Sequence, residues 1–492
     1  MTAPARSARS QLERDLPGVL LGGDPAGWLG YDPGPISADD VLAAWKRAGR
    51  SAGRGAPPAI QVYAHFAFCR MSCRFCQYWH VLTRDDAELA AYTDHLVSLA
   101  STYRSALGKQ RVSNAYFGGG TPTALTSGML RRFLAAFGAT FEVEHEFTTE
   151  AHPLTLDAEK IGVLADGGIN RVSMGVQSFD DDVLHHVGRT NGSPRALRDL
   201  VLQMQRRRIL VNVDLILGLP GQTAASFERD LSETLELGAD TITLYRYQPV
   251  HRLPEPPPEE LRFSRALTPL LPRCFKQRYV PFGPVEDSRY SVLLLRPPAR
   301  TARYVAANVV SGLQALAGHE RPRRYTDVDR AGVHILGLGP GAISHVLGFG
   351  WYRDVTAVRA ATGETPPRYW GTRLDAEGEA RSRALFTLAG GGWVNRSAAA
   401  RSPDGTGTFP GLARALDVGV ETGTLQRASR WVRLRPGLPE EARTSFLRDL
   451  LPPRSLDRDR ATAALAFKLR KDVQPELVDI DRAHRHLAEA PA

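Results

Sequence analysis

The chain has 492 residues, of which 43% are hydrophobic and 23% are charged. That balance is typical of a folded globular protein and argues against wholesale disorder or a fibrous repeat. The net charge of +9 comes from basic residues scattered among acidic ones, so a nucleic-acid partner is not expected. No apolar window approaches the length of a membrane span, and the N-terminus lacks the apolar core of a secretory signal. We therefore expect a cytoplasmic protein without a membrane contact.

Short β-branched or aromatic runs alternate with helical stretches from residue 59 onward. The predicted strands are 59–66, 112–117, 145–150, 169–174, 209–217 and 240–246. The predicted helices between them are 86–106, 127–138, 155–166, 180–187 with 194–208, and 223–237. This alternation predicts an α/β fold with parallel strands and right-handed crossovers. Two arrangements of the strands remain possible: an open doubly wound sheet, or a full or partial (β/α) barrel.

Composition predicts further divisions along the chain. A Gly- and Pro-rich N-terminal extension has one helix near 38–47, and the proline-rich stretch 252–261 reads as a linker. Near the C-terminus, helical segments flank a hairpin or wing at TLQRASRWVRLR, residues 424–435, and the charged end of the chain reads as a surface helix or tail. The predicted parts are the extension (1–58), the strand–helix core (59–250), a region that completes the barrel or binds substrate (251–390), and a small C-terminal domain with a tail (391–492).

Residues able to carry chemistry follow the predicted strands. In chain order these are Cys69–Cys76, Gly118–Gly120, Glu150, Gln177, Asp214 and Tyr245. The C-terminal edge of parallel strands carries the functional site in barrels and in open α/β sheets alike. The sequence therefore predicts one site at that edge.

Three cysteines form a C-x3-C-x2-C triplet at Cys69, Cys73 and Cys76. Three thiolates can hold a four-iron cluster and leave one iron open to an exogenous ligand. The alternative is structural zinc with His65 or His80 as a fourth ligand. Cys274 lies beyond the proline-rich stretch and is not expected to complete the ligand set.

The triplet, with an aromatic residue before its last cysteine, resembles the radical S-adenosylmethionine (radical SAM) superfamily. The preceding YAHFAFC, residues 63–69, is similar to the Y-x-H-x-x-F-C approach of the oxygen-independent coproporphyrinogen III oxidase (HemN-like) family. Further motifs of that family follow in order as YFGGGTPT (116–123), RVSMGVQSF (171–179), DLILGLPGQ (214–222) and the Gly-rich GLGPGA (337–342). The resemblance covers 59–345, and 400–450 more weakly.

The resemblance implies a partial (β/α)6 TIM-like barrel with an N-terminal extension and a small C-terminal helical or winged domain. It implies that the three cysteines hold a [4Fe–4S] cluster and that one or two SAM molecules bind. The residues implied to bind SAM are Tyr63, Phe75, Gly118, Gly119, Gly120, Thr121, Glu150, Gln177, Arg189 and Asp214. Structural alternatives are a tight turn for the glycines, core packing for Tyr63 and a solvated helix-end charge for Arg189.

The implied activity is reductive cleavage of SAM to a 5′-deoxyadenosyl radical. Two departures from the family matter. Tyr78 stands where the oxidases proper have a further cysteine, and Tyr369-Trp370 lacks the His-Asn that precedes it in the haem-chaperone relatives. We therefore favour radical C-methylation or cyclopropanation of a conjugated substrate in specialised metabolism, as in the class C radical SAM methyltransferases and related cyclopropanases.

Three other functions remain open: oxidative decarboxylation of coproporphyrinogen III, haem carriage, and a zinc-stabilised α/β protein. The expected partners are a small-molecule substrate and a one-electron donor such as flavodoxin or ferredoxin.

Overall fold

A computed structural model describes residues 34–51, 60–76, 78, 80–250, 253–281, 291–296, 334–356, 358–359, 361, 366–389, 393–401, 407–439, 442, 446–447 and 450. The chain separates into two compact units. The first comprises Val62–Tyr325 and Val358–Thr365, and the second comprises Met1–Gln61, Thr326–Ala357 and Pro366–Ala492. The expected surface helix or tail at the end of the chain lies outside the described residues, and the predicted division into four parts stays a prediction.

The elements are numbered in chain order. The strands are β1 (Gly34–Ile36), β2 (Ile60–Phe66), β3 (Phe68–Cys69), β4 (Val81–Leu82), β5 (Gln110–Gly119), β6 (Phe141–Ala151), β7 (Arg171–Gln177), β8 (Leu210–Leu217), β9 (Thr241–Arg246), β10 (Val280–Pro281), β11 (Ser291–Leu295), β12 (His334–Leu338), β13 (Ile343–Val346), β14 (Gly350–Asp354), β15 (Tyr369–Arg373), β16 (Val394–Asn395), β17 (Leu425–Ala428) and β18 (Trp431–Leu434). The helices are α1 (Ala38–Ser51), α2 (Asp86–Leu107), α3 (Ser127–Thr140), α4 (Ala158–Asp166), α5 (Asp181–His186), α6 (Pro194–Arg206), α7 (Ala224–Leu237), α8 (Leu271–Lys276), α9 (Ala376–Ala389), α10 (Arg396–Ala399) and α11 (Pro410–Glu421).

The first unit contains the six predicted strands as β2, β5, β6, β7, β8 and β9, which neighbour one another in that order. The pairs from β5 to β9 are parallel. A strand order that follows the chain without reversal is typical of a barrel, because a doubly wound sheet reverses its order at a switch point. The outer edge of β9 pairs with the antiparallel β11. The predicted α/β fold with a partial barrel is confirmed.

Polar side chains fix where the helices of this unit begin. Each accepts a hydrogen bond from a backbone N–H in the first turn. These N-cap residues are Asp85, Thr126, Asp157, Asp180, Ser193 and Thr223. The helix predicted to begin at residue 155 begins at Ala158, because Asp157 caps it and Pro153–Thr155 form a separate 3-10 turn.

The two faces of the barrel strands differ in chemistry because successive side chains alternate between them. On β5 the Phe117 ring packs against Phe133, Phe137 and Phe147, with ring centroids 4.9–5.1 Å apart. Its neighbour Tyr116 points to the opposite face. The aromatic face packs against helices, so the other face carries the polar side chains.

The second unit has its own sheet and core. Its strands run in the order β1, β15, β14, β13 and β12, and each neighbouring pair is antiparallel. An apolar cluster combines residues of α9, α11, β17 and β18, with Leu388, Leu412, Leu416 and Val432 fully buried. The hairpin predicted in residues 424–435 is confirmed as the antiparallel pair β17 and β18. No described helix has both the length and the apolar character needed to span a bilayer.

Candidate active site

Three cysteines lie on the loop that follows β2. Cys69 ends β3, and the loop carrying Cys73 and Cys76 is closed where β3 pairs in parallel with β4. Cys73 is buried, whereas Cys69 and Cys76 are partly exposed. The triplet therefore lies on one short loop at the C-terminal end of the first barrel strand.

Two of the thiols are contacted by different segments of the barrel. Cys69 Sγ lies 3.3 Å from Thr121 Oγ1, on the loop after β5. Cys73 Sγ accepts a hydrogen bond from Arg189 Nη1 at 3.3 Å, on the loop after α5. These contacts orient the sulfur atoms from two sides.

Burial raises the pKa of the Cys69 thiol to about 11 and that of the Cys76 thiol to about 12. Without a cation, both side chains are therefore protonated at neutral pH. A metal ion deprotonates a coordinating thiol, so binding of a thiolate-ligated metal at this loop would release protons. Thiolate ligands fit iron–sulfur clusters and zinc.

Zinc would need a fourth ligand that converges with the three sulfur atoms. His80 Nδ1 lies 3.9 Å from Cys76 Sγ and also contacts the Tyr78 carbonyl oxygen at 2.8 Å. In the part of the chain that the structure describes, no three His, Cys, Asp or Glu side chains are grouped to hold one metal ion. A four-iron cluster does not require such a group, because each cysteine ligates a different iron.

The segment Gly118–Gly120 at the end of β5 is packed too closely for side chains. A Cβ added at Gly119 would lie 2.4 Å from the His65 imidazole, and one added at Gly120 would lie 2.6 Å from the Phe66 carbonyl oxygen. Gly119 also has φ +103°, which other residues rarely adopt. The Gly120 N–H donates to the Phe66 carbonyl, so the glycines fix the chain that leads into the cysteine loop. The segment therefore forms a close backbone approach as well as a turn.

We expect Gly119→Ala to lower the free energy of unfolding by about 3 kcal/mol or more, because a steric clash adds to backbone strain. Urea unfolding of the metal-free protein measures the change. Gly108→Ala is the matched control, since Gly108 has φ +72° but nothing within 4 Å of an added Cβ. Equal losses in the two variants would show that His65 does not confine Gly119.

Glu150 lies near the C-terminal end of β6 and is held by two donors. The Tyr116 hydroxyl donates to Oε1 at 2.7 Å, and the Gly119 N–H donates to Oε2 at 3.2 Å. Burial raises the pKa of the Glu150 carboxyl to about 7; the charge of Asp214 acts in the same direction and the two donors oppose it. A carboxyl group whose pKa is shifted to near neutrality at the C-terminal end of a barrel strand is a candidate functional group.

Gln177 ends β7 in a strained conformation. Its φ of +73° is rare for a residue with a side chain, and a β-bulge separates it from Gly175. Its buried Oε1 has no hydrogen-bond partner among the described residues. Backbone strain and an unpaired buried acceptor both mark a position shaped for a ligand that supplies a donor.

Asp214 belongs to a polar network on the inner face of β7, β8 and β9. It accepts hydrogen bonds from Ser173 Oγ and Asn212 Nδ2, both at 2.7 Å. Asn212 Oδ1 in turn accepts from Thr241 and Thr243 at 2.7 and 2.9 Å. The network fixes the orientation of the Asp214 carboxylate. Only Asp214 was predicted, because the other members read as ordinary strand residues in the sequence.

Arg189 is buried beside Cys73, with 7% of its surface exposed. Besides the Cys73 contact, its Nε donates to Asn191 Oδ1 at 3.0 Å and its Nη2 donates to the Gly175 carbonyl. The alternative of a solvated helix-end charge is therefore wrong.

Tyr63, on β2, belongs to an aromatic group at the site. Its hydroxyl lies 3.0 Å from His65 Nδ1, and its ring stacks on Tyr116 with centroids 6.3 Å apart. Tyr116 in turn binds Glu150, so Tyr63 lies one residue away from that carboxylate.

Phe75 packs against an apolar cluster, and Cys274 is buried elsewhere in the chain. The Phe75 ring packs against a buried cluster that includes Val183 and Ile216, which anchors the cysteine loop. Cys274 is fully buried in α8, outside the triplet. The contacts of Phe75 are thus those of a packing residue, and its predicted role in SAM binding stays a prediction.

Asp230, which the sequence did not single out, ties two of the motifs together. Its carboxylate on α7 accepts hydrogen bonds from Ser178 Oγ at 2.8 Å, Phe179 N at 2.6 Å and Gln222 Nε2 at 2.9 Å. Ser178 and Phe179 end one motif and Gln222 ends another. The carboxylate therefore fixes the loops after β7 and β8, and no local sequence signal marks it.

We expect Asp230→Ala to lower the free energy of unfolding by about 3 kcal/mol or more, because three buried donors lose their acceptor. Urea unfolding measures it. Glu228→Ala on the same helix is the control, since Glu228 is exposed and makes one surface ion pair with Arg273. A loss no larger than that of the control would contradict the role of Asp230.

Comparison with known proteins identifies the family of domain to which the barrel belongs. The family model of the radical SAM superfamily matches residues 63–233. The chain is 32% identical over 215 residues to anaerobilin synthase of Escherichia coli O157:H7, over 43% of this chain and 48% of that protein. It is 34% identical over 186 residues to the haem chaperone HemW of Lactococcus lactis, over 37% and 48% of the two chains. It is 32% identical over 192 residues to oxygen-independent coproporphyrinogen III oxidase of Paracoccus denitrificans, over 38% and 43%.

The chain thus spans about half the length of the curated relatives it matches. One solved structure is similar in fold over a larger part of the chain than these relatives match. Coproporphyrinogen III oxidase (HemN) from Escherichia coli superposes with a TM-score of 0.63 and 19% identity, over 85% of this chain and 94% of that chain. At this identity the likeness shows the fold alone.

Residues 63–233 therefore form a radical SAM domain, the class of protein that uses a [4Fe–4S] cluster and SAM. Within that class the chain is HemN-like in its relatives and in its fold. The predicted [4Fe–4S] cluster and SAM are confirmed, whereas a second SAM molecule stays a prediction. The residues present fit them, because desolvated thiols, a closely packed glycine segment and an unpaired amide oxygen lie at the C-terminal ends of neighbouring strands.

Proposed function

We propose that Cys69, Cys73 and Cys76 hold the [4Fe–4S] cluster and leave one iron open to SAM. The observation that carries the proposal is the placement of the three thiols at the end of β2, beside the glycine segment and Glu150. The Glu150 carboxylate accepts a hydrogen bond from the Gly119 N–H, and the next N–H, of Gly120, donates to Phe66 at the end of β2, so the carboxylate lies beside the start of the cysteine loop.

SAM contacts are assigned to side chains that the structure already orients. Glu150 is the acceptor for a ribose hydroxyl or the methionine ammonium, and Gln177 Oε1 is a second acceptor. Arg189 is the donor for the methionine carboxylate, because a guanidinium fork suits a carboxylate. Asp214, Thr121, Tyr63 and the glycine backbone complete the proposed binding set. When bound, the cluster supplies the electron that cleaves SAM reductively to methionine and a 5′-deoxyadenosyl radical.

The reaction supported best is oxidative decarboxylation of a tetrapyrrole that carries propionates, of the coproporphyrinogen type. Two of the three relatives described above are named for haem or coproporphyrinogen. The net charge of +9 suits a polycarboxylate substrate. The expected partners are this substrate and a one-electron donor such as flavodoxin or ferredoxin.

The test is anaerobic reconstitution with iron and sulfide, followed by SAM, reductant and coproporphyrinogen III. We expect 5′-deoxyadenosine and a decarboxylated porphyrinogen, both measured by mass spectrometry. Absence of 5′-deoxyadenosine from a reconstituted protein would overturn the radical SAM assignment. Its formation without decarboxylation would overturn the substrate alone. A Soret band on adding haem, without turnover, would favour a haem carrier.

C-methylation or cyclopropanation, favoured by the sequence, has no support from these relatives and is the second candidate. The observation in its favour is Tyr78, which stands where the oxidases have a further cysteine. SAM labelled in its methyl group distinguishes the two reactions. Label in the product favours carbon transfer with a second SAM, and release of CO2 favours decarboxylation.

A further inference from the structure

We propose that Arg189 raises the reduction potential of the cluster through its hydrogen bond to Cys73 Sγ, and that Asn191 is the positioning residue that aims Arg189. This inference rests on the proposed cluster ligands. It gives Arg189 a role that exists before SAM binds, in addition to the proposed contact with SAM.

The guanidinium of Arg189 uses its nitrogens on three different partners. Nη1 donates to Cys73 Sγ at 3.3 Å, Nε donates to Asn191 Oδ1 at 3.0 Å, and Nη2 donates to the Gly175 carbonyl. Arg189 and Cys73 are 7% and 8% exposed. Water therefore competes little for the hydrogen bond to sulfur.

Asn191 fixes the direction of the guanidinium. Its Nδ2 donates to the Val176 carbonyl at 2.5 Å and to the Ser178 carbonyl at 3.0 Å, so its Oδ1 is left to accept from Arg189. Asn191 is 5% exposed. Because Val176 and Ser178 flank the strained Gln177, the end of β7 sets the position of Arg189.

The segment that carries Arg189 is also joined to the cysteine loop. Arg74 N donates to the Val187 carbonyl at 2.9 Å, and Arg74 Nη1 donates to the His186 carbonyl at 3.1 Å. A Cβ added at Gly188 would lie 3.1 Å from the Ser72 carbonyl oxygen. The backbone hydrogen bond and the close approach at Gly188 hold the cysteine loop beside Arg189, and a substitution of the Arg74 side chain leaves both in place.

The charge of Arg189 has no acidic partner in the described parts of the chain, where no salt bridge includes it. A buried cation is costly without an anion nearby. A four-iron cluster with three thiolate ligands is net negative and becomes more negative on reduction. A cation and a hydrogen bond at one of its sulfur atoms therefore stabilise the reduced form and raise the potential.

Arg74 provides a matched control. It follows Cys73 directly and carries the same charge, but its side chain is exposed and donates to a backbone carbonyl. Solvent screens an exposed charge far more than a buried one. The two arginines therefore differ in burial and in the hydrogen bond to sulfur.

The experiment is a potentiometric titration of the reconstituted cluster, followed by electron paramagnetic resonance in the absence of SAM. We expect Arg189→Met to shift the potential to more negative values, Arg189→Lys to shift it less, and Arg74→Met to leave it close to that of the parent protein. An unchanged potential in Arg189→Met, or an equal shift in Arg74→Met, would overturn the proposal.

Asn191→Ala keeps the charge of Arg189 and removes the acceptor of its Nε hydrogen bond. This variant therefore provides a second test if Arg189→Met assembles no cluster. We expect a smaller shift of the same sign, and an unchanged potential would overturn the proposal. Failure of the parent protein to assemble any cluster is a different result, because it overturns the proposed function itself. Iron and sulfide content, measured for every sample, separates the two failures.

Discussion

The Cys73→Ser variant is expected to keep its fold but to lose the iron–sulfur cluster and the formation of 5′-deoxyadenosine. Serine does not provide a soft thiolate ligand, and with two cysteines left the cluster has too few protein ligands. Changes around a metal ligand reduce affinity or activity by roughly 10- to 100-fold, so loss of the ligand itself should exceed that range. Iron and sulfide content, the visible absorption of the cluster and the yield of 5′-deoxyadenosine measure the loss.

Cys274→Ala is the control for this variant. Cys274 is fully buried in α8, so its replacement tests the loss of a buried thiol outside the triplet. We expect the full iron and sulfide content of the parent protein. Loss of the cluster in Cys274→Ala, or a complete cluster in Cys73→Ser, would contradict the assignment of the ligands.

Glu150→Gln is expected to reduce the affinity for SAM by about 10- to 100-fold above neutral pH, the range of a lost charge-assisted hydrogen bond. Because burial raises the pKa of this carboxyl to about 7, the parent protein should also bind SAM more weakly as the pH falls through that value. The variant has no carboxyl there, so its weaker affinity should not show this step. Isothermal titration of reconstituted protein with SAM at several pH values measures both effects.

The Glu150 carboxyl also affects the free energy of unfolding of the cofactor-free protein, and the direction of its pKa shift fixes the sign of that effect. The pKa is higher in the folded protein than in the unfolded chain, so the folded protein binds the proton more tightly. Ionisation of Glu150 therefore costs stability as the pH rises from its ordinary pKa through about 7. We expect Glu150→Gln to be more stable than the parent protein at about pH 8 and to lose this advantage near pH 5.

Glu142→Gln is the control for both measurements, since Glu142 is exposed on the same strand. Its affinity for SAM and its stability should follow those of the parent protein at every pH. If Glu142→Gln and Glu150→Gln have the same pH profile, the carboxyl of Glu150 is not the group that titrates.

Secondary structure was largely predictable because the relevant signals are local. Apolar periodicity marked each barrel strand, and a capping residue such as Asp85 or Thr223 lies directly before its helix. Residues 141–144 at the start of β6 were missed, although Phe141 and Val143 alternate there with polar residues as in a half-buried strand. The polar pair at 145–146 interrupts that alternation. Pairing with β5, which reaches back to Phe141, joins the two parts into one strand.

The candidate site was predictable only in part. The cysteine triplet, the glycine segment and Glu150 carry short motifs, and the strand order brings the ends of their strands together. Asp230 and Asn191 lack such a signal, because the groups that hold these two side chains in place lie on other segments of the chain. Their importance depends on burial, which the sequence does not specify residue by residue.

By itself, the sequence determined the chemistry at the C-terminal end of the barrel strands: three thiols within a span of eight residues, a segment of glycines, and an acid at the end of a strand. Those properties depend only on which residues stand near one another in the sequence, so short motifs reveal them. Only the tertiary structure decided which neighbours act on them. It buried Arg189 against Cys73, gave Glu150 two donors, and left Gln177 Oε1 without a partner among the described residues. Hydrogen bonding and desolvation depend on which distant segments meet, and that is set by the packing of the whole barrel.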